Sequence, residues 1–216
     1  EVDDPSVVTR AQWYLHERLR EKSNNLTQWT GGNWTDLVQE YGADVARAYR
    51  DGVVAYWRKY QPILRSEGAP PNQTPTAVIF GLTGIGVEAA ETPDWPAILS
   101  EGEAALATRF ACHELNGFPS WFPRLFEKWP KTASKALMGE IEYELTVETE
   151  EQETHYVLSD VCWSGQWAWS ELGPGIYRLL ETSNPRNSGT LSNLLKIVEG
   201  SNVSDEKLAA LAAHKI

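Results

Sequence analysis

The residues best suited to chemistry in this sequence are His155, Asp160 and Cys162. Imidazole, carboxylate and thiol groups serve as nucleophiles, bases and zinc ligands in enzymes. His155 and Cys162 are seven positions apart, a spacing that places two residues on one face of a helix. A zinc site needs a fourth ligand, which this stretch does not supply. A small hydrolase or metal-dependent enzyme using these three residues is the alternative hypothesis, and three structural residues are the favoured interpretation.

A second candidate, Cys112-His113-Glu114, lacks the spacing that catalysis needs. The zinc-protease motif His-Glu-x-x-His requires a second histidine, and Gly117 occupies that position. Adjacent residues such as Cys112 and His113 point in different directions on a helix, so they do not form a catalytic pair. We therefore predict no catalytic residue, no cofactor and no metal site.

Three glycines, Gly81, Gly84 and Gly86, follow an apolar run and invite comparison with a phosphate-binding loop. Their spacing is not that of the dinucleotide fingerprint, and the Lys-Ser/Thr pair of a nucleoside triphosphate loop does not follow. A helix over residues 77–90 explains the stretch equally well, because glycines on its surface allow a close neighbour. We favour the helix over nucleotide binding.

Arginine and tryptophan are the residue types most enriched where proteins bind one another. The chain has ten tryptophans, its largest departure from ordinary composition. Solvated arginines and tryptophans buried in the core are the alternative interpretation. The candidate partner-binding residues are Arg47, Arg50 and Arg58 on an early helix and Trp163, Trp167 and Trp169 late in the chain.

The bulk composition narrows the class of partner. The 216 residues are 42% hydrophobic and 23% charged, which is typical of globular proteins. A net charge of −11 disfavours sequence-independent nucleic-acid binding, which needs a basic surface. No apolar run approaches the length that spans a bilayer. We expect a protein or peptide partner, or the rest of a parent chain, and neither nucleic acid nor membrane.

Cysteines and glycosylation sequons give opposing indications of location. Two cysteines within apolar helical patterns favour buried thiols in a reducing compartment, and we expect a cytoplasmic protein. The alternative is a secreted helical domain, because Asn-x-Ser/Thr sequons begin at four asparagines. These are Asn25, Asn33, Asn72 and Asn202. Asparagine and serine also collect at helix starts for capping reasons alone.

The elements that would hold these residues are helices, most clearly over residues 103–145. Apolar residues recur there at helical spacing, and the pattern is interrupted at Asn116-Gly117 and at Pro130. Short helices that are apolar on one side can bury those faces only against one another. Phe122, Leu125 and Ile141 are predicted to lie in such contacts. The pattern of residues 122–145 recurs loosely in residues 176–199, which suggests an internal repeat.

The rest of the chain follows the same pattern. We predict a long helix over residues 43–60, a corner at Gly173-Pro174-Gly175 and a solvated acidic run over residues 148–153. The predicted division is an N-terminal helical segment 1–60, a linker 61–75 and a helical-repeat array 76–216. One continuous domain over residues 1–216 is the alternative.

Residues 80–130 and 155–169 resemble the helical-repeat region found C-terminal to the nucleotide-binding module of bacterial STAND/NACHT-type NTPases. The resemblance extends over residues 76–200 and is most specific over residues 111–121. It implies an α-solenoid that senses a ligand or partner, with ATP handling in a separate domain. It carries no catalytic residue onto this chain.

Together these patterns predict an all-α fold of about ten to twelve helices, a number set by ordinary helix and loop lengths. The expected arrangement is a right-handed stack of antiparallel helix pairs, a HEAT- or TPR-like α-solenoid. The expected function is a non-catalytic recognition or scaffold module.

Overall fold

The computed structural model describes residues 7–23, 28–29, 32–150 and 156–215, and within those ranges the chain is helical and contains no strand. The predicted all-α class is therefore confirmed. Three single-turn 3₁₀ helices, Trp34–Leu37, Arg65–Glu67 and Gln166–Ala168, connect longer elements. The α-helices of the described residues are α1 (Arg10–Lys22), α2 (Val38–Tyr41), α3 (Ala43–Trp57), α4 (Thr76–Glu91), α5 (Trp95–Ile98), α6 (Glu101–Ala111), α7 (Phe122–Lys128), α8 (Pro130–Val147), α9 (Val157–Ser164), α10 (Trp169–Thr182), α11 (Ser188–Glu199) and α12 (Asp205–Lys215).

The three helices predicted over residues 103–145 are α6, α7 and α8. Ser100 begins the first with a capping box, in which its side chain and that of Glu103 each accept a backbone N–H of the other residue. The first helix ends at Ala111, earlier than predicted. The α6–α7 connection, residues 112–121, contains Asn116 and Gly117 in left-handed conformations, with φ of 56° and 105°. The predicted stop is thus a loop rather than a helix cap.

Helix α4 is buried on nearly every side, as expected of a helix that is apolar all round. It crosses α3 so closely that a Cβ atom on Gly84 would lie 1.9 Å from the carbonyl oxygen of Val53. A Cβ atom on Gly81 would lie 2.1 Å from the ring of Phe110. The glycines therefore permit close helix packing, and the helix favoured over a phosphate loop is confirmed.

Two hydrophobic clusters share the α3–α4 contact. The smaller joins α1, α3 and α4 around Phe80, and the larger extends from Trp57 through α6, α8 and α10 to α12. Phe122, Leu125 and Ile141 are each 0% exposed, so their predicted burial is confirmed. Neighbours in space are mostly near neighbours in sequence, as in the pairs α3–α4, α6–α8, α8–α10 and α10–α11.

The 61–75 segment lies against α6 and α8. The side chain of Leu64 is buried, and the Arg109 guanidinium donates to the carbonyl oxygen of Pro62 and to the Glu67 carboxylate. The backbone N–H groups of Arg65 and Ser66 donate to the buried carboxylate of Glu140, at 3.1 Å each. The segment therefore connects the two parts of the chain while being fixed to the second part.

Glu140 is the first of three glutamates spaced by four along one side of α8, the last of which, Glu148, is the C-cap residue of the helix. Each is at most 1% exposed. The Glu144 carboxylate accepts the N–H groups of the first turn of α9, from Tyr156, Val157 and Leu158. The Glu148 carboxylate accepts the N–H of Arg186, just before α11, and the hydroxyl of Thr190 in its first turn. Since helix N-termini carry unpaired N–H groups and partial positive charge, one face of α8 fixes the starts of three other elements.

Three predictions about the later chain need correction. Glu148 is buried rather than solvated, whereas Thr149 and Glu150 are exposed as predicted, and residues 151–153 lie outside the described residues. Gly173-Pro174-Gly175 lies inside α10 and makes no corner. The suggested repeat pairs Ile141 with Leu195, yet Leu195 is 39% exposed, because α11 buries Leu194, Ile197 and Val198 instead. The pairs Phe122 with Ile176 and Phe126 with Leu180 are buried in both copies, so the packing of the two copies agrees only in part.

Candidate binding cleft

A cleft of about 530 Å³ opens where four separate parts of the chain meet. That volume is within the range of small-molecule sites. Its walls come from Trp29, the 61–75 segment, the α6–α7 connection and the first turns of α9. The lining residues are Trp29, Arg65, Asn72, Gln73, Thr74, Glu114, Leu115, Asn116, Tyr156, Ser159 and Asp160. We call this the Arg65 cleft.

Arg65 is the cation of the cleft and is only 9% exposed. One guanidinium nitrogen donates to the carbonyl oxygen of Cys112 at 3.1 Å, and the guanidinium carbon lies 3.6 Å from the ring centroid of Tyr156. No carboxylate in the described part of the chain forms an ion pair with it. A buried guanidinium has five N–H donors, so this group can still accommodate acceptors from a ligand.

Asp160 is the acidic group of the cleft that lacks a cation partner. Burial, with repulsion from Glu144 as the next cause, raises the pKa of its carboxyl to about 7. The backbone N–H of Gly117 and the charge of Arg65 act in the opposite direction. A carboxyl group with such a pKa changes charge near neutral pH and would gain from a neighbouring cation.

The other carboxylates near the cleft each accept two or three backbone N–H groups, whereas Asp160 accepts that of Gly117. Glu114, which is 5% exposed, accepts the N–H of Trp29 at 2.5 Å and its neighbour's N–H, from Leu115, at 2.9 Å. Glu140 and Glu144 accept the N–H groups described above. These three carboxylates therefore stabilise the walls, and Arg65 and Asp160 are the charged groups left for an occupant.

The exposed face of α9 continues from the cleft to a tryptophan. Ser159, Asp160 and Trp163 come three, four and seven residues after Tyr156, so they lie along one side of the helix. Trp163 is 63% exposed, and the ammonium nitrogen of Lys196 lies 3.5 Å from the centroid of its ring. This contact fixes the indole while leaving its other surface accessible.

The remaining candidate tryptophans lie largely within the molecule. Trp167 packs edge-on against Phe118, Phe122 and Phe126. The indole N–H of Trp169 donates to the carbonyl oxygen of Val161 at 2.8 Å. Their main contacts are therefore internal, and of the three tryptophans Trp163 is the most accessible.

The three candidate arginines are all paired within the chain. Arg58 donates to both carboxylate oxygens of Glu88 and to Glu103, at 2.7 Å each. Arg50 is paired with Glu91 and Asp51. Arg47 pairs with Asp44 at the surface, where both side chains are mostly exposed, and such pairs are weak. Arg47 is thus the arginine most easily released to a partner.

The residues of the enzyme hypothesis do not converge where the structure describes them. Asp160 faces the Arg65 cleft, whereas the thiol of Cys162 donates to the side-chain oxygen of Asn193 on α11 at 3.3 Å. Burial raises the pKa of the Cys162 thiol, which disfavours the thiolate. His155 lies outside the described residues. No group of three or more His, Cys, Asp and Glu in the described ranges is arranged to hold a metal ion.

Sequence reasoning identified Asp160 and Trp163 but missed Arg65 and Tyr156. It considered Glu114 only as part of an incomplete zinc-protease motif. Arg65 lay in a stretch interpreted as a linker, and its burial depends on contacts with α8 that are far away in the sequence. The one available signal was an arginine between apolar residues and a Pro-rich run.

No family model, no curated protein and no solved structure matches this chain. Within the residues that the structure describes, no helix has the length and apolar character needed to cross a membrane.

Proposed function

We propose that this chain is a non-catalytic recognition module that senses a ligand or a protein partner. The observation that carries the proposal is the Arg65 cleft. Its walls come from residues as distant in sequence as Trp29, Arg65, Glu114 and Asp160. An occupant would touch all four segments at once and would favour the arrangement in which they are together. That is the physical basis of sensing by population shift.

The partner surface of this proposal is the exposed face of α9, centred on Trp163. A large exposed indole beside a cleft is a typical binding hot spot, because it offers much apolar area at a small cost in conformational entropy. Lys196 holds the ring by a cation–π contact, so little rotamer freedom is lost on binding. Arg47 is a second, separate candidate on α3.

The parent architecture is also part of the proposal. The succession of helix pairs that are neighbours in both sequence and space is compatible with an α-solenoid, and the resemblance to STAND/NACHT-type repeat regions suggests the sensor part of a larger signalling or defence NTPase. Cys112 and Cys162 are buried free thiols. This fits a reducing compartment, and we place the protein in the cytoplasm.

A peptide-display selection against the immobilised chain tests the partner surface. We expect enriched peptides to bind the wild type and to lose about tenfold or more in affinity for Trp163→Ala, since truncating a tryptophan hot spot has an effect of this size. The matched control is Tyr14→Ala, which removes a 54% exposed aromatic from α1. A selection without enrichment, or peptides that bind both variants equally, would refute the proposed surface.

A further inference from the structure

We infer that the Arg65 cleft binds a zwitterionic ligand of the amino-acid type, with its carboxylate on Arg65 and its ammonium group on Asp160. This inference rests on the proposed function and deepens it, because it assigns the chemistry of the occupant of the cleft that carries that proposal.

The first step is the state of Arg65. The side chain is nine-tenths buried, lines the cleft and has no ion pair among the described residues. Its contacts are one carbonyl oxygen, from Cys112, and the flat face of Tyr156. Stacking leaves the edge of a guanidinium free for two parallel hydrogen bonds, which is the geometry that a carboxylate accepts.

The second step is the complementary group. Asp160 comes from α9 and lines the same cleft. The charged groups that act on it are Arg65 from the 61–75 segment, Glu114 from the α6–α7 connection and Glu144 from α8. Two of these three are carboxylates, so an added ammonium group would relieve repulsion at Asp160.

The third step excludes ligands of a single charge. A plain anion on Arg65 would meet Asp160, Glu114 and Glu144 nearby, and a plain cation on Asp160 would meet Arg65. A zwitterion places each charge next to its opposite. The cleft volume of about 530 Å³ accommodates an amino acid with its side chain, and Trp29 and Leu115 offer apolar surface for that side chain.

The test measures thermal unfolding and calorimetric binding of the wild type at pH 8 with free amino acids, their N-acetyl derivatives and their carboxamides. The N-acetyl form lacks the ammonium group, and the carboxamide lacks the carboxylate. We expect at least one free amino acid to bind and both of its blocked forms to lose about tenfold to hundredfold in affinity, as expected for loss of a charge-assisted contact. Because this comparison uses the wild type, it does not depend on the folding of any variant.

Variants then assign the two ends of the ligand. Asp160→Asn is expected to lower the affinity for the free amino acid about tenfold and to leave the affinity for its N-acetyl form unchanged. Arg65→Gln is expected to lower the affinity for the free amino acid about tenfold and to leave the affinity for its carboxamide unchanged. The controls Asp44→Asn on α3 and Arg10→Gln on α1 change the same residue types at exposed positions and should change neither affinity.

Three results would overturn the inference: no free amino acid binds, the carboxamide binds as tightly as the free acid, or the N-acetyl form does. None of these results would refute the proposed partner surface on α9. That surface is tested separately, by the binding of selected peptides to the wild type and to Trp163→Ala.

Discussion

At the scale of single residues, the buried and half-buried charged groups of the described residues differ in how far their charges are compensated. Glu88 has Trp57 and Arg58, and Glu144 has three backbone N–H groups. Asp160 and Arg65 have no ion pair in the described ranges. An uncompensated buried charge lowers the free energy of unfolding. We therefore expect these two residues to reduce the stability of the unoccupied protein.

The variant Asp160→Asn should measure how much the charge of Asp160 lowers the free energy of unfolding. The folded protein holds the Asp160 proton up to about pH 7, whereas the unfolded chain releases it near 3.8. The stabilising effect of the raised pKa is therefore complete below 3.8 and is lost as the pH rises through 7. Asparagine retains an acceptor for the N–H of Gly117 without the charge. We expect it to raise the free energy of unfolding by about 1–2 kcal/mol at pH 8 and to have little effect at pH 4.

Urea denaturation at both pH values checks this expectation, with Asp44→Asn as the exposed control. An equal effect of Asp160→Asn at pH 4 and pH 8 would mean that the Asp160 carboxyl is not destabilised by its surroundings.

His16 should give the opposite pH dependence. It is fully buried, its Nδ1 lies 3.1 Å from the Tyr49 hydroxyl, and burial lowers the pKa of its ring from 6.5 to about 4. Between pH 4 and pH 6.5 the His16 ring is therefore protonated in the unfolded chain and neutral in the folded protein. The stability that is fully present above pH 6.5 is lost as the pH falls to 4. Replacing His16 with Asn should reduce this acid-side loss by about 2 kcal/mol. Urea titrations at a series of pH values measure this loss. The expectation is contradicted if the free energy of unfolding falls as steeply from pH 6.5 to pH 4 in the variant as in the wild type.

At the scale of elements, α8 organises its neighbours. Its glutamates at positions 140, 144 and 148 contact the starts of the 3₁₀ helix at Arg65, of α9 and of α11. Two of these starts, the one at Arg65 and that of α9, have no side-chain hydrogen bond from their own N-cap residue. The carboxylates of α8 therefore replace local caps with contacts distant in sequence, and they set the position of two of the four walls of the Arg65 cleft.

Glu144→Gln tests this role. The amide retains one acceptor but turns donors toward the N–H groups of α9, so we expect a loss of about 2 kcal/mol in unfolding free energy and faster amide exchange in α9. Glu142→Gln, on the exposed face of the same helix, should change stability by less than about 0.5 kcal/mol. Should the two variants be equally stable, α9 would not depend on this carboxylate.

Two glycines give a contrasting pair of helix substitutions. Gly84→Ala forces a methyl group into the backbone of Val53 and should cost about 3 kcal/mol, because both helices must move apart. Gly139→Ala on α8 meets open space and should stabilise by about 0.5–1 kcal/mol, since alanine loses less entropy in a helix. Thermal unfolding of both variants measures the difference, and similar melting temperatures would contradict the close α3–α4 crossing.

The contrast between α4 and α8 shows how far sequence reasoning reaches. The apolar run of α4 and its glycines predicted a buried helix with a close neighbour, and the helical spacing of apolar residues from residue 103 predicted α6. Both signals are local. The glutamates of α8 carry no local signal, because their partners are N–H groups elsewhere in the chain. Glu148 was interpreted as solvated for that reason, and the cleft that these carboxylates frame could not be predicted.

At the scale of the whole molecule, the α3–α4 contact bears on the predicted division at residues 61–75. Trp57 of α3 is 0% exposed and belongs to the larger cluster, while Phe80 and Val87 of α4 belong to the smaller one. Each helix thus contributes to both cores. We expect the chain to unfold in one transition, with far-ultraviolet circular dichroism and tryptophan fluorescence changing together. Two separated transitions would instead support independent units over residues 1–60 and 76–216.

The most direct test of recognition through the α9 face is amide hydrogen exchange over the whole chain, with and without a peptide from the display selection. The account predicts slower exchange in residues 157–164 and, through the shared cleft, in residues 65–67, with residues 10–22 unchanged. Protection confined to residues 10–57, or no protection in residues 157–164, would contradict it.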